Sequence, residues 1–307
     1  MNKRSFIKKS LLSAGLLCLG KYPLSAFAEN EADVQQLTIL HTNDVHSRVE
    51  PFPSGSGDLA GKGGAARRAA MIEQIRKEGQ PVLLFDSGDI FQGTPYFNFY
   101  HGELEMKLMS EMRYDVGTLG NHDFDAGIEG FAKQLPLANF PFVCSNYDFV
   151  DTPLQGRIEP YQIIEKENIR IGVFGLGIEL AGLVPSVLTG GTRYLDPIEK
   201  ANHYAARLRH DLKCDYVVCL SHLGYRYDSD KVSDIVLAQA SRNIDLVLGG
   251  HTHTRMDKPH TLANLDGRPT VIFQSWWAGL VLGRIDVFFE RNRRKNRCAT
   301  CQPIAIG

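Results

Sequence analysis

The sequence offers no apolar run long enough to cross a bilayer comfortably. The best candidate, "LLSAGLLCLG" at residues 11–20, stops short of the roughly 18 residues a membrane helix needs. Positive charge is not in excess either, with 34 Lys/Arg against 35 Asp/Glu. There is no repeat period and no low-complexity tract, which sets aside solenoids and disordered chains. Cysteines number six, and one of them, Cys18, falls in the N-terminal apolar run. The remaining five are an odd count, which does not make a disulfide framework. Cys144, Cys214 and Cys219 lie in apolar stretches and read as small core residues. "CATC" (Cys298, Cys301) either closes a local disulfide or simply sits in the C-terminal region; no further cysteine or histidine flanks it to complete a zinc site.

The first 28 residues have the plan of an export signal. "MNKRSFIKKS" is basic, an apolar run follows, and "LSAFA" ends in Ala-Phe-Ala, so cleavage is expected after Ala28. A retained N-terminal anchor is the alternative. Leu17 is not the small residue that lipid attachment at Cys18 requires. "KRSFIKKS" resembles a twin-arginine signal with Lys3 in place of the first arginine. The expected location is therefore periplasmic or extracellular, with no stable membrane anchor. Removing the five basic residues of the signal leaves 29 Lys/Arg against 35 Asp/Glu, a net charge of −6. That balance gives no general attraction to nucleic acid or anionic lipid. The exception, "RNRRKNR" at 291–297, reads as part of a solvated basic tail over 291–307, after a domain spanning 29–290.

What the body does contain is a recurrence of strand-length apolar runs. They are "LTIL" (37–40), "VLLF" (82–85), "IRIGVFGLG" (169–177), "YVVCL" (216–220), "IDLVLGG" (244–250), "TVIFQ" (270–274) and "GRIDVFF" (283–289). Between them, residues 63–79, 102–112, 128–135 and 197–212 carry helical patterns. Alternating strands and helices imply a layered α/β domain with at least one buried mixed sheet. The polar clusters almost all follow strands directly. "LTILHTNDVH" delivers Asp44 and His46, and "VLLFDSGD" delivers Asp89. "DVGTLGNHDFD" delivers Asn121, His122 and Asp125, "YVVCLSH" His222, and "LVLGGHTH" His251 and His253. Ligands of α/β sheets bind outside the carboxyl ends of strands, so these groups should share one rim.

Taken singly, each fragment admits a structural reading, such as a turn cap or a satisfied core histidine. Together they supply imidazoles, two carboxylates and an amide, enough for two divalent cations with one shared carboxylate. Mixed nitrogen and oxygen donors suit zinc, manganese, iron or cobalt better than calcium. Five of the ten histidines fall in these clusters; His41, His101, His203, His210 and His260 do not. His203 and His210 lie on a helical segment, and His41 is expected to support the turn before Asp44.

In order and type, "NDVH", "GD", "GNHDFD", "SHLG" and "GGHTH" resemble the motifs of the calcineurin-like metallophosphoesterases over roughly residues 37–290. "LTILHTNDVHSR" and "GNHDFDAG" resemble the 5'-nucleotidase branch of that family. The resemblance implies a four-layer sandwich of two mixed β-sheets flanked by helices, with two metals at the strand ends. By position it places Asp44, His46 and His253 on one metal, Asn121, His222 and His251 on the other, and Asp89 on both. A metal-activated hydroxide would then attack phosphorus in line. His122 would touch the substrate beside Asn121, as general acid or phosphoryl donor, with Asp125 holding its tautomer. Asp123 stands where that branch usually has glutamate, and is expected at most to stabilise the turn.

The branch also usually carries a second, C-terminal domain that stacks the base and grips the phosphate. No such residues follow the last expected strand. The implied substrate is a nucleotide or related phosphoester; the alternatives are a cyclic nucleotide, a nucleotide sugar or a thiosulfonate, or a subunit completed by a separate C-terminal domain protein. "FQGTPYFNFYHG" (91–102) either lines the pocket or packs at its rim. "QSWW" (274–277) marks either an interface or a loop packed on the domain.

Overall fold

All seven expected strands form, and their period-two patterns decide which face each side chain takes. The computed structural model describes residues 34–290 and 295–307, with the side chains of 295–298 left out. The expected export signal, residues 291–294 and the Cys298 thiol therefore lie outside the described residues.

The strands are β1 (Val34–Thr42), β2 (Val82–Asp86), β3 (Val116–Gly117), β4 (Tyr147–Asp148), β5 (Tyr161–Lys166), β6 (Ile169–Leu176) and β7 (Arg193–Tyr194). They continue with β8 (Tyr216–Ser221), β9 (Leu246–Gly249), β10 (His260–Ala263), β11 (Pro269–Gln274), β12 (Val281–Glu290) and β13 (Lys295–Ala305). The helices are α1 (Ala65–Arg76), α2 (Pro95–Tyr100), α3 (Glu103–Glu111), α4 (Gly127–Gln134), α5 (Ser186–Thr189), α6 (Pro197–Ala206) and α7 (Asp234–Ala240).

One sheet has the order β13-β12-β1-β2-β3 and the other β10-β11-β9-β8-β6-β5; β4 and β7 form a small separate ribbon. Both large sheets are mixed. β1, β2 and β3 run parallel, as do β6, β8, β9 and β11, while β12, β13, β5 and β10 pair antiparallel at the flanks. Leu37, Ile39, Leu83, Phe85, Ile285 and Val287 of the first sheet share one buried cluster with Ile171, Val173, Val218, Leu220 and Leu248 of the second. The alternate residues point outward. Leu40 and Leu84 pack with Ile72, Ile75, Met106 and Phe131 from α1, α3 and α4. Phe174, Val217, Cys219 and Val247 pack with Ala201, Ala205 and Leu237 from α6 and α7. The result is the expected four-layer arrangement of helices, sheet, sheet and helices.

Register makes this frame useful. Thr42 pairs with Asp86 and Asp86 with Gly117, so the three parallel strands of the first sheet end level. In the second, Leu176 pairs with Ser221, Ser221 with Gly249, and Gly249 with Gln274. The loops that follow therefore leave from one common rim.

One expectation is corrected. Residues 295–305 do not trail as a tail; they form β13, paired with β12 from Val281↔Ala305 to Glu290↔Lys295. Without β13, β12 would be an open edge, and Pro303 is tolerated because β13 is itself an edge strand. Among the described residues no helix is long and apolar enough to cross a membrane.

Candidate metal centre

The loops that leave the level strand ends have an unusual backbone. Asp44, His46, Asp89, His251 and His253 hold φ between 48° and 71°. For a residue with a side chain this left-handed region costs roughly 1–2 kcal/mol. Hydrogen bonds between the loops hold them there. The Asp44 N–H donates to Gly88 O at 2.9 Å and the His46 N–H to Asp89 O at 3.0 Å. The His251 N–H reaches both carboxylate oxygens of Asp44, at 2.9 and 3.0 Å. The loops after β2 and β3 come so close that a Cβ on Gly120 would lie 2.2 Å from Asp89 Oδ1, so glycine is required there.

Two groups of donor atoms result. Asp44, His46 and His253 form one, Asp89, His222 and His251 the other, and within each the donor atoms lie no more than 4.8 Å apart. His46 Nε2 and His253 Nε2 are 3.0 Å apart, and His253 Nε2 is 3.5 Å from Asp44 Oδ1. In the second group His222 Nε2 lies 3.1 Å from Asp89 Oδ2. Asn121 Oδ1 joins it, 2.9 Å from His251 Nδ1. Asp89 Oδ2 is also 3.8 Å from His46 Nε2, so this carboxylate stands between the two groups. All seven expected ligand residues are thus brought together.

The donor set fits divalent cations. A backbone carbonyl can only accept, so the contacts of His46 Nδ1 with Phe91 O (3.2 Å) and of His222 Nδ1 with Ser87 O (2.6 Å) place a proton on each Nδ1. Each Nε2 is thereby turned toward the cluster, where a bound cation would take the place of any proton it carries, the usual orientation of a histidine ligand. His222 Nε2 is buried and faces Asp89 Oδ2 at 3.1 Å as an ion-pair contact. A buried nitrogen so placed among carboxylates and imidazoles suits an ion with mixed nitrogen and oxygen preference.

Electrostatics point the same way. Burial works to raise the Asp89 carboxyl, but the imidazoles around it, His222 first and then His46 and His122, together outweigh burial and hold the group below the usual range. Burial opposes a charge on His222, yet Asp89 pushes its imidazole up to about 10. For His251, burial and then the His222 charge push the ring down to about 4. Asp44 and Asp89 are 0% and 2% exposed, so the site draws positive charge strongly.

His122 and Asp125 flank this centre. His122 opens a short 3₁₀ turn, His122–Phe124, directly after Asn121. Its N–H donates to Asp89 Oδ1 at 2.8 Å, and its ring lies 5.3 Å from that of His46. Asp125 Oδ2 sits 2.8 Å from His122 Nδ1. That hydrogen bond raises the His122 pKa, burial opposing it. The His122 side chain is 38% exposed, so it remains accessible from solvent.

Three residues support the centre: His41 as the sequence led one to expect, Asp123 beyond its own turn, and Asn43 without any forewarning. Asp123 is fully buried, and its two oxygens accept from the N–H groups of Asp89 (3.1 Å), Ile90 (2.9 Å), Phe91 (3.2 Å) and Gly120 (2.8 Å). It does more than stabilise its own turn, since it ties the Asp89 loop to the Asn121 loop. His41 bridges Ser87 Oγ and Ser275 Oγ, at 3.0 Å each, and burial pushes its pKa down to about 3, which makes it a neutral strut. Asn43 donates to Asp44 Oδ2 and to Trp276 O, and accepts from the Ser275 N–H. The only advance signal for His41 and Asp123 was their position beside the ligands.

Comparison with known proteins decides the family. The calcineurin-like phosphoesterase pattern matches residues 37–255. This chain belongs to the calcineurin-like phosphoesterases. It is similar to the snake venom 5'-nucleotidase of Crotalus adamanteus, 34% identical over 278 residues, covering 83% of this chain and 45% of that protein. Among solved structures it resembles the 5'-nucleotidase precursor of Thermus thermophilus, with a TM-score of 0.80 and 30% identity, over 88% of this chain and 54% of that one. The Haemophilus influenzae NAD nucleotidase follows with a TM-score of 0.78 and 27% identity, over 89% and 51% of the two chains. As a calcineurin-like phosphoesterase it spans about half the length of these relatives. Family membership agrees with the four-layer fold and with the two clusters at its rim.

Proposed function

We propose that this protein is an exported phosphohydrolase with two divalent cations, acting on nucleotides or related phosphoesters. The observation that carries the reading is the pair of donor groups either side of Asp89, with the His122–Asp125 pair at their edge. Asp44, His46 and His253 would hold one cation and Asn121, His222 and His251 the other, with Asp89 shared between them. Bound cations supply charge to the phosphoryl oxygens and lower the pKa of the attacking water.

The chain's own residues do the rest. Asp125 fixes the His122 proton on Nδ1, leaving Nε2 to face substrate, and the raised pKa favours a ring that can carry a second proton there. His122 then donates to the phosphoryl group or to the departing alkoxide. Asn121, which would hold a cation through Oδ1, keeps its amide hydrogens for a phosphoryl oxygen. Export rests on the sequence of residues 1–28. Nucleotides are favoured over other phosphoesters because similar proteins are 5'-nucleotidases and an NAD nucleotidase.

The test is hydrolysis by residues 29–307, read as phosphate released from a nucleoside 5'-monophosphate, as mononucleotide formed from a 2',3'-cyclic nucleotide or a dinucleotide, and as phenol released from an aryl phosphodiester. A chelated sample and a His122→Ala variant run beside it. Turnover that needs metal and His122 is expected. Two bound metals with no turnover on any substrate would refute a self-sufficient hydrolase and direct attention to a separate substrate-binding polypeptide.

A further inference from the structure

The chain's only two tryptophans, Trp276 and Trp277, stand side by side in the loop between β11 and β12. This loop is strained: Trp276, Ala278 and Gly279 have φ of 60°, 53° and 62°. A bulky aromatic residue in the left-handed region is a real outlier, and surrounding structure has to hold it. What holds it is the turn that carries Asp44. The Ala278 N–H donates to Asp44 O at 2.7 Å, Asn43 Nδ2 to Trp276 O at 2.7 Å, and the Ser275 N–H to Asn43 Oδ1 at 2.8 Å. The strain places the Trp277 ring flat against the His253 imidazole, 6° from parallel with centroids 5.5 Å apart. Phe52 meets the Trp277 ring edge-on, and Ala278 and Leu280 pack around the pair.

His253 needs such support. Its side chain is 37% exposed, against 9% for His46 and 0% for Asp44 in the same group. Among the described residues no hydrogen bond to its Nδ1 accompanies the His46 contact at Nε2, whereas His46 and His222 are each fixed by a carbonyl on Nδ1. An exposed imidazole with no such anchor loses rotamer freedom when it binds a cation.

We infer that Trp277 is a positioning residue for the cation held by Asp44, His46 and His253: its indole replaces the missing hydrogen bond and orients His253 by stacking. The same loop clamps Asp44, so His253 and Asp44 both rest on it directly, whereas His251 meets it only through Asp44. This inference rests on the two-cation reading above and adds which residue governs the affinity of one subsite.

The experiment is calorimetric titration of the metal-free protein with Mn²⁺, for the wild type, Trp277→Leu and Trp277→Phe. Melting temperatures in chelator serve as the folding control. Loss of a residue that orients a ligand from behind weakens metal binding about 10- to 100-fold. Trp277→Leu should show that loss at one of two binding steps, with the other step and the chelated melting temperature unchanged. Trp277→Phe, which keeps a flat ring, should recover most of it. In the wild type, tryptophan emission should change with the step that Trp277→Leu weakens. Equal binding by wild type and Trp277→Leu overturns the inference, as does an equal loss in both variants or an emission change that follows the other step. A wild type that binds no divalent cation overturns instead the reading beneath it.

Discussion

Replacing Asp125 by asparagine separates the chemistry of His122 from its mere presence. Asp125 Oδ2 accepts from His122 Nδ1 at 2.8 Å, and this bond is the largest cause of the raised imidazole pKa. The Asp125→Asn amide keeps the shape and removes the charge. A hydrogen bond to a charged group contributes about 1.5–3 kcal/mol, and partial exposure of the pair (38% and 26%) argues for the lower half of that range. With about 1.4 kcal/mol to each factor of ten, kcat/KM should fall roughly 10- to 30-fold. The loss should depend on the leaving group. A nucleoside departs as a basic alkoxide that needs a proton, whereas p-nitrophenolate departs without one. The assay is therefore kcat/KM for a nucleoside 5'-monophosphate and for p-nitrophenyl phosphate, with metal held saturating. The expected result is a large loss on the nucleotide and a small one on the aryl ester. Equal losses on both substrates would refute proton donation and leave His122 as a phosphoryl-binding donor. A loss below about threefold on both would refute any role for the His122–Asp125 bond in the rate-determining step.

Three further outcomes follow from the same geometry. Chelation should abolish turnover and lower the melting temperature; restoring a divalent cation to 100 times its Kd should return about 2.7 kcal/mol per independent site, read by denaturant titration with and without metal. Asp123→Ala leaves four buried N–H groups without their acceptor and should destabilise by about 2–4 kcal/mol, read from the urea midpoint, with metal affinity reduced because the Asp89 loop loosens. Arg284, 6% exposed, is held by Glu78 and Asp286, and although burial works to raise the Glu78 carboxyl, its bonds to Arg284 hold it below the usual value of 4.5. A depressed folded pKa contributes stability that is present above the unfolded value and lost as pH falls through the folded one. Glu78→Gln should therefore be less stable than the wild type at neutral pH, with the gap closing below pH 4.5 in acid denaturation curves.

The convergence of the candidate ligands on one rim was legible because of the way parallel strands work. An apolar run that stops abruptly at Asp, His or Gly announces both the strand and the loop beyond its carboxyl end. Five such stops converge only if the strands end level, and the register Thr42↔Asp86 and Ser221↔Gly249 supplies that. β13 was not legible for the converse reason. Its residues, basic and then mixed, carry no inward period of their own; they are ordered by the unpaired edge that β12 presents. The two-residue strand β3 likewise exists through its pairing with Phe85 and Asp86, not through its sequence.

The supporting residues fall in between, and they show what a pattern of ligands leaves out. Asp123 lies inside "GNHDFDAG", yet a carboxylate that accepts four backbone N–H groups looks, in sequence, like any turn aspartate. Trp277 lies 24 positions from the His253 it stacks on, across β10 and β11, and nothing local ties the two. Both act on backbone that is held in the left-handed region at Asp89 and at Trp276. That conformation stays occupied only while long-range bonds outweigh its strain. The donor groups of the centre are therefore written in short motifs, while its geometry depends on residues, inside those motifs or far from them, whose role no motif marks. Substitutions at Asp123 or Trp277 would keep every candidate ligand in the sequence and still disturb the geometry they share.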